Sequence, residues 1–69
     1  MDDIKITLAA ARVNAGLTQD DVAREMAVTK QTIVNWEKGR KVLKPAELEK
    51  LCRMYNMPID IIFLPTVST

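Results

Sequence analysis

Gln31, Asn35 and Lys38 recur at i, i+4 and i+7 in a segment that also carries Ile33 and Trp36 three residues apart. On a helix this spacing gathers the three polar side chains on one face and the two apolar ones on another. A carboxamide donates and accepts in one plane, so Gln31 and Asn35 each match the N6 and N7 edge of adenine, and a good bidentate pair discriminates by about 1–3 kcal/mol. Lys30, at the start of the segment, is placed to reach either guanine acceptors or a phosphate. The plainer alternative for this face is ordinary solvated helix surface. Trp36 is in register with Ile33 and reads as core rather than as a base-stacking platform.

Other chemistries lack their residues. The chain has no His, a single Cys and scattered acidic residues, so neither a zinc tetrad nor a disulfide framework can be assembled, and no metal or cofactor is expected. Without His, a paired-carboxylate pocket or a Gly-rich phosphate loop there is no general base or nucleophile, and an enzyme is not expected. Cys52 falls in an apolar stripe and reads as a buried thiol. Sixty-nine residues make one domain, which buries only about 60% of its unfolded surface and needs an economical core. The start, Met-Asp-Asp, is acidic where a signal peptide is basic, and the longest apolar run, Ile61 to Leu64, is far below the roughly 20 residues of a membrane span. A cytoplasmic, nucleoid-associated protein without membrane contact is expected.

Net charge is +1, but its distribution is uneven. Between Thr29 and Pro45 the chain carries Lys30, Lys38, Arg40, Lys41 and Lys44 against Glu37 alone, whereas the remaining residues are net acidic. A single-sign patch on and just after one helix is the electrostatic footprint of a phosphate backbone, with a solvated charge run as the alternative.

The elements that must position these groups begin at two threonines. Thr18 and Thr29, eleven residues apart, each precede a helical run and can accept a bond from an unpaired backbone N–H, so both read as N-caps. Two short helices joined by the tight break at Ala27-Val28 form a helix-turn-helix, which pushes its second helix outward at a width that fits a major groove. The spacing predicts an all-α bundle of five helices. The first has the stripe Ile4, Leu8, Ala11, Arg12 and Ala15, with Asp3 as cap and Gly16 as left-handed stop. The second runs from Gln19 to Met26, burying Val22, Ala23 and Met26, with Asp20 and Asp21 at the positive end of its dipole and Thr18 with Asp21 as a shortened capping box. The third runs from Lys30 to about Lys38 and stops at Gly39. The fourth, from Ala46 to Tyr55, follows Pro45, buries Leu48, Leu51, Cys52 and Tyr55, and ends at Asn56. A fifth, from Ile59 to Phe63 or Leu64, follows Pro58. Residues 1–65 form the domain and 66–69 a frayed tail.

Arg12, Gly16-Leu17-Thr18-Gln19, Val22-Ala23, Val28-Thr29, Thr32-Ile33, Trp36-Glu37-Lys38-Gly39 and Tyr55-Asn56-Met57-Pro58-Ile59-Asp60 together resemble the phage repressor and Cro group of helix-turn-helix proteins, also called XRE-type regulators. The likeness extends over about Ile4 to Leu64. It implies a DNA-binding fold whose second and third helices form the helix-turn-helix. It further implies that Lys30, Gln31, Thr32 and Asn35 line the groove-facing side of the recognition helix, that Gln19 holds a phosphate, and that Arg12 and Glu37 form a partly buried ion pair. Thr29 and Gln19, at helix N-termini, suit phosphate contacts, and Lys38, Arg40, Lys41 and Lys44 add charge. Three features depart from the pattern. Ala27 stands where Gly is usual, Val34 adds an apolar side chain beside the reading face, and the loop Arg40 to Pro45 is long and contains Val42 and Leu43, which can pack or dimerise instead.

The expected function is sequence-specific binding of double-stranded DNA by a small Cro- or repressor-like regulator, with the brevity of the chain favouring the Cro-like role. A near-palindromic operator and a weak homodimer through Ile61, Phe63 and Leu64 follow, since one helix reads only a few base pairs. The alternative is a protein-interaction module of the same fold, an antitoxin or anti-repressor with secondary DNA binding.

Overall fold

The structure, a computed structural model, describes residues 5–64. The order of elements is β1 (Ile6–Thr7), α1 (Leu8–Asn14), α2 (Gln19–Met26), α3 (Lys30–Lys38), α4 (Pro45–Tyr55), a single 3-10 turn (Ile59–Ile61) and β2 (Ile62–Phe63). The described residues thus contain four α-helices rather than five, closed by a two-stranded parallel ribbon in which Ile6 pairs with Ile62 and Thr7 with Phe63.

Both departures from the expected bundle arise where Ile6 and Thr7 meet Ile62 and Phe63. Helix α1 begins at Leu8, not near Ile4, because Thr7 caps it: its Oγ1 accepts from the Ala10 amide at 3.0 Å. Ile6 and Thr7 stay extended, as β-branched side chains prefer. At the other end the expected fifth helix is one 3-10 turn, after which Ile62 and Phe63 extend to pair with β1. The expected cap Asp3, the stripe residue Ile4 and the tail 66–69 lie outside the described residues. Ala15, expected in the buried stripe, is exposed at the end of α1.

The core draws on every helix and on β2. Leu8, Ala11, Val22, Ile33, Trp36, Leu51, Tyr55 and Ile62 are almost wholly removed from solvent, and Met26, Leu43, Leu48 and Leu64 pack against them. Cys52 is buried among them, and burial pushes its thiol above its ordinary value, which disfavours the reactive thiolate. Tyr55 is pushed up to about 12, first by burial and then by the nearby Glu37 charge.

All four helices stop in the same way. Gly16, Ala27, Gly39 and Asn56 have φ of 76°, 57°, 75° and 55°. After each left-handed residue the next amide bonds back to a carbonyl five residues earlier: Leu17 to Arg12, Val28 to Ala23, Arg40 to Asn35, and Met57 to Cys52. These are Schellman-type ends, which satisfy the last carbonyls and turn the chain sharply. Between α2 and α3 this stop leaves only Ala27, Val28 and Thr29, so α3 starts within a few residues of the end of α2.

Candidate nucleic-acid interface

Helix α3 is held by its cap and by its apolar face. Thr29 Oγ1 accepts from the Thr32 amide at 3.2 Å, and the hydroxyls of Thr29 and Thr32 bond to each other at 3.0 Å. Ile33 and Trp36 are 1% and 2% exposed and seat the helix. With about 100° between successive residues, Gln31, Asn35 and Lys38 then point away from the core. Lys30, Gln31 and Lys38 are exposed, and Thr32, Val34 and Asn35 are half-buried. Trp36 is core, and its indole Nε1 is buried without a hydrogen-bond partner among the described residues.

The polar groups on this face are already connected. Gln31 Nε2 donates to Asn35 Oδ1 at 3.1 Å. The hydroxyl of Thr32 is engaged with the cap, so of the residues assigned to base edges it is the one most committed within the chain.

At the C-terminal end of α3, Glu37 is the hub of a network reaching two other helices. Arg12 Nε donates to Glu37 Oε2 at 2.7 Å, with the two side chains only 13% and 8% exposed. Arg12 Nη2 reaches Glu37 Oε1 at 3.4 Å, and Nη1 donates to the Leu17 carbonyl at 3.0 Å. Gln19 Nε2, from the first turn of α2, donates to Glu37 Oε1 at 3.0 Å. The carboxylate therefore ties α1, α2 and α3 together, and Gln19 has one amide hydrogen committed inside the chain. Lys30 and Gln19 line one cleft together with Arg12, Val13, Gly16, Leu17, Thr18 and Asp20, which brings the starts of α2 and α3 side by side.

Helix α2 is fixed by a reciprocal cap. Thr18 Oγ1 accepts from the Asp21 amide at 3.0 Å, and Asp21 Oδ2 accepts from the Thr18 amide at 2.9 Å. The bond from the Thr18 amide, and after it the proximity of the Thr18 hydroxyl, hold the Asp21 carboxyl below its ordinary value. Lys50, on α4, donates to the carbonyl of Glu25 at 3.0 Å and so secures the other end of α2.

Beyond Gly39 the basic loop divides. Arg40, Lys41 and Lys44 are exposed, Leu43 packs against the core, and Val42 is 81% exposed. Lys44 serves as the N-cap of α4, and its amide donates to Glu47 Oε1 at 2.8 Å. The structure thus places Lys30, Gln31, Asn35 and Lys38 on one helix surface and Arg40, Lys41 and Lys44 on the loop that follows it. Of the three residues assigned to a dimer contact, Phe63 is 50% exposed, Ile61 is half-buried and Leu64 leans on the core.

Among the contacts missing from the reading of the sequence are two at its own site residues, the Gln31–Asn35 bond and the Gln19–Glu37 bond. The first had a local signal, since Gln and Asn at i and i+4 are neighbours on any helix. The second joins residues eighteen positions apart and depends on how α2 crosses α3.

Comparison with known proteins agrees with this geometry. A family model described as helix-turn-helix matches residues 8–62. The chain is similar to the cryptic phage CTXphi transcriptional repressor RstR of Vibrio cholerae, with 40% identity over 48 residues, which is 70% of this chain and 43% of that protein. The match therefore covers less than half the length of that relative. No solved structure matches. With the matched region running from the start of α1 to β2, and with capped α2 and α3 at its centre, the chain belongs to the phage repressor, or XRE-type, helix-turn-helix family of DNA-binding regulators.

Proposed function

We propose that the chain binds double-stranded DNA sequence-specifically as a small transcriptional regulator, with α3 lying in the major groove. The observation that carries this reading is the outward face of α3. Its amides and lysines are presented to solvent by the burial of Ile33 and Trp36 on the opposite side. Gln31 and Asn35 meet base edges, Thr32 lines the same side, and Lys30 takes a guanine acceptor or a phosphate. Gln19, Thr29, Lys38, Arg40, Lys41 and Lys44 hold phosphates, with the N-termini of α2 and α3 adding their free amides and dipoles. The relative's name as a transcriptional repressor supports repression as the sign of regulation.

A single α3 spans only a few base pairs. A two-fold dimer placing two such helices about 34–36 Å apart would read a near-palindromic operator, with Ile61, Phe63 and Leu64 forming the contact, of which Phe63 is 50% exposed. Selection from random duplexes followed by a salt titration on the selected site tests the reading. With about four phosphate contacts per subunit, log affinity falls against log salt with a slope of roughly −7. A flat dependence, or no selected sequence, overturns it.

A further inference from the structure

The bond between Gln31 Nε2 and Asn35 Oδ1, 3.1 Å long, has a direction, and the direction decides what each amide has left to offer. Gln31 has committed one of its two N–H groups. It keeps the other and the whole of its Oε1, the adjacent donor and acceptor that match adenine N7 and N6. Asn35 has engaged its oxygen and keeps two N–H groups, a face that donates. Asn35 is half-buried whereas Gln31 is exposed, so Asn35 is the more fixed of the two. Against it, a flipped Gln31 amide would set oxygen against oxygen.

We infer that the two side chains read DNA as one unit, in which Gln31 specifies adenine and Asn35 is a positioning residue that sets the orientation of the Gln31 amide. This rests on α3 being the groove helix and goes beyond treating the two amides as independent readers. The gain is preorganisation. A glutamine side chain is among the more costly to order, and a partner one helical turn away removes part of that cost before the base arrives. The bond is exposed to water in the free chain, but within a groove that excludes water an amide held in register strengthens the neighbouring base contact.

Selection from random duplexes, carried out with the unmodified chain and with Gln31→Ala, Asn35→Ala and Asn35→Asp, separates the possibilities. The readout is the preference for adenine at the position whose preference Gln31→Ala abolishes. The unmodified chain prefers adenine there by about tenfold or more. Asn35→Ala reduces that preference about fivefold with the thermal midpoint unchanged. Asn35→Asp keeps the accepting oxygen and therefore keeps the preference, while its added negative charge weakens binding to all duplexes. The double substitution Gln31→Ala with Asn35→Ala is no less selective at that position than Gln31→Ala alone. An adenine preference that survives Asn35→Ala, one lost equally with Asp and Ala, or a base other than adenine at the Gln31 position overturns the inference while leaving the DNA-binding reading intact. Failure of the unmodified chain to select any sequence overturns that reading itself.

Discussion

Two residues carry more of the site's geometry than their types suggest. Ala27 sits at φ 57°, ψ 43° with its side chain exposed, so it has the steric cost of a left-handed L-residue with no packing to offset it. Replacing it with glycine relieves that cost and loses part of the gain to a freer unfolded chain. Ala27→Gly is expected to stabilise the fold by about 0.5–1 kcal/mol, measured as a rise in melting temperature; an unchanged or lower midpoint would show that the turn is not strained. Glu37 is the opposite case, a nearly buried carboxylate whose loss leaves the Arg12 guanidinium without its counter-charge. Glu37→Ala is expected to cost roughly 3–5 kcal/mol, whereas Glu49→Ala, on the exposed side of α4, costs little. Equal small losses in denaturant titrations of the two variants would contradict the hub role. The Arg12–Glu37 pairing was legible only through resemblance, since nothing in the spacing of residues twenty-five apart predicts a contact.

At the scale of elements, local chemistry and long-range pairing divide the helix boundaries between them. The starts of α2 and α3 and the stops at Gly16, Gly39 and Asn56 were legible because each depends on a threonine, glycine or asparagine within one turn of the boundary, whereas the left-handed stop at Ala27 had no signal in its residue type. The start of α1 and the fate of Ile59–Phe63 were not. The competing signal was a parallel pairing between residues more than fifty positions apart, and an apolar run this short satisfies both helix and strand patterns. Helix α4 has a start that its sequence leaves incomplete. Its capping residue, Lys44, lends only its backbone amide to Glu47, because a lysine side chain has no acceptor. Lys44→Ser supplies that acceptor and completes the capping box. It is expected to raise stability by about 0.5–1 kcal/mol while reducing the salt slope of DNA binding by about 1 for each lost phosphate contact. A gain in stability with an unaltered salt slope would remove Lys44 from the phosphate contacts.

For the molecule as a whole, the parallel ribbon brings the two ends of the described chain together. It also leaves Phe63 half exposed beside the exposed Thr7, with Ile59, 49% exposed, in the preceding turn. Phe63→Ser is expected to leave the fold intact, since the core residue of that strand is Ile62 at 7% exposed. It should weaken binding to a full palindrome much more than to an isolated half-site. Parallel losses on both duplexes, seen by analytical ultracentrifugation and binding titration, would remove Phe63 from any contact between subunits. Amino-acid order by itself determined the helix-turn-helix, the seated face of Ile33 and Trp36, and the concentration of positive charge after Thr29, because caps, stops and 3.6-residue periodicity act within one or two turns. Only the tertiary structure decided that Glu37 joins three helices and that Ile6 and Thr7 pair with Ile62 and Phe63 as strands. Both are settled by which surfaces meet across long stretches of chain.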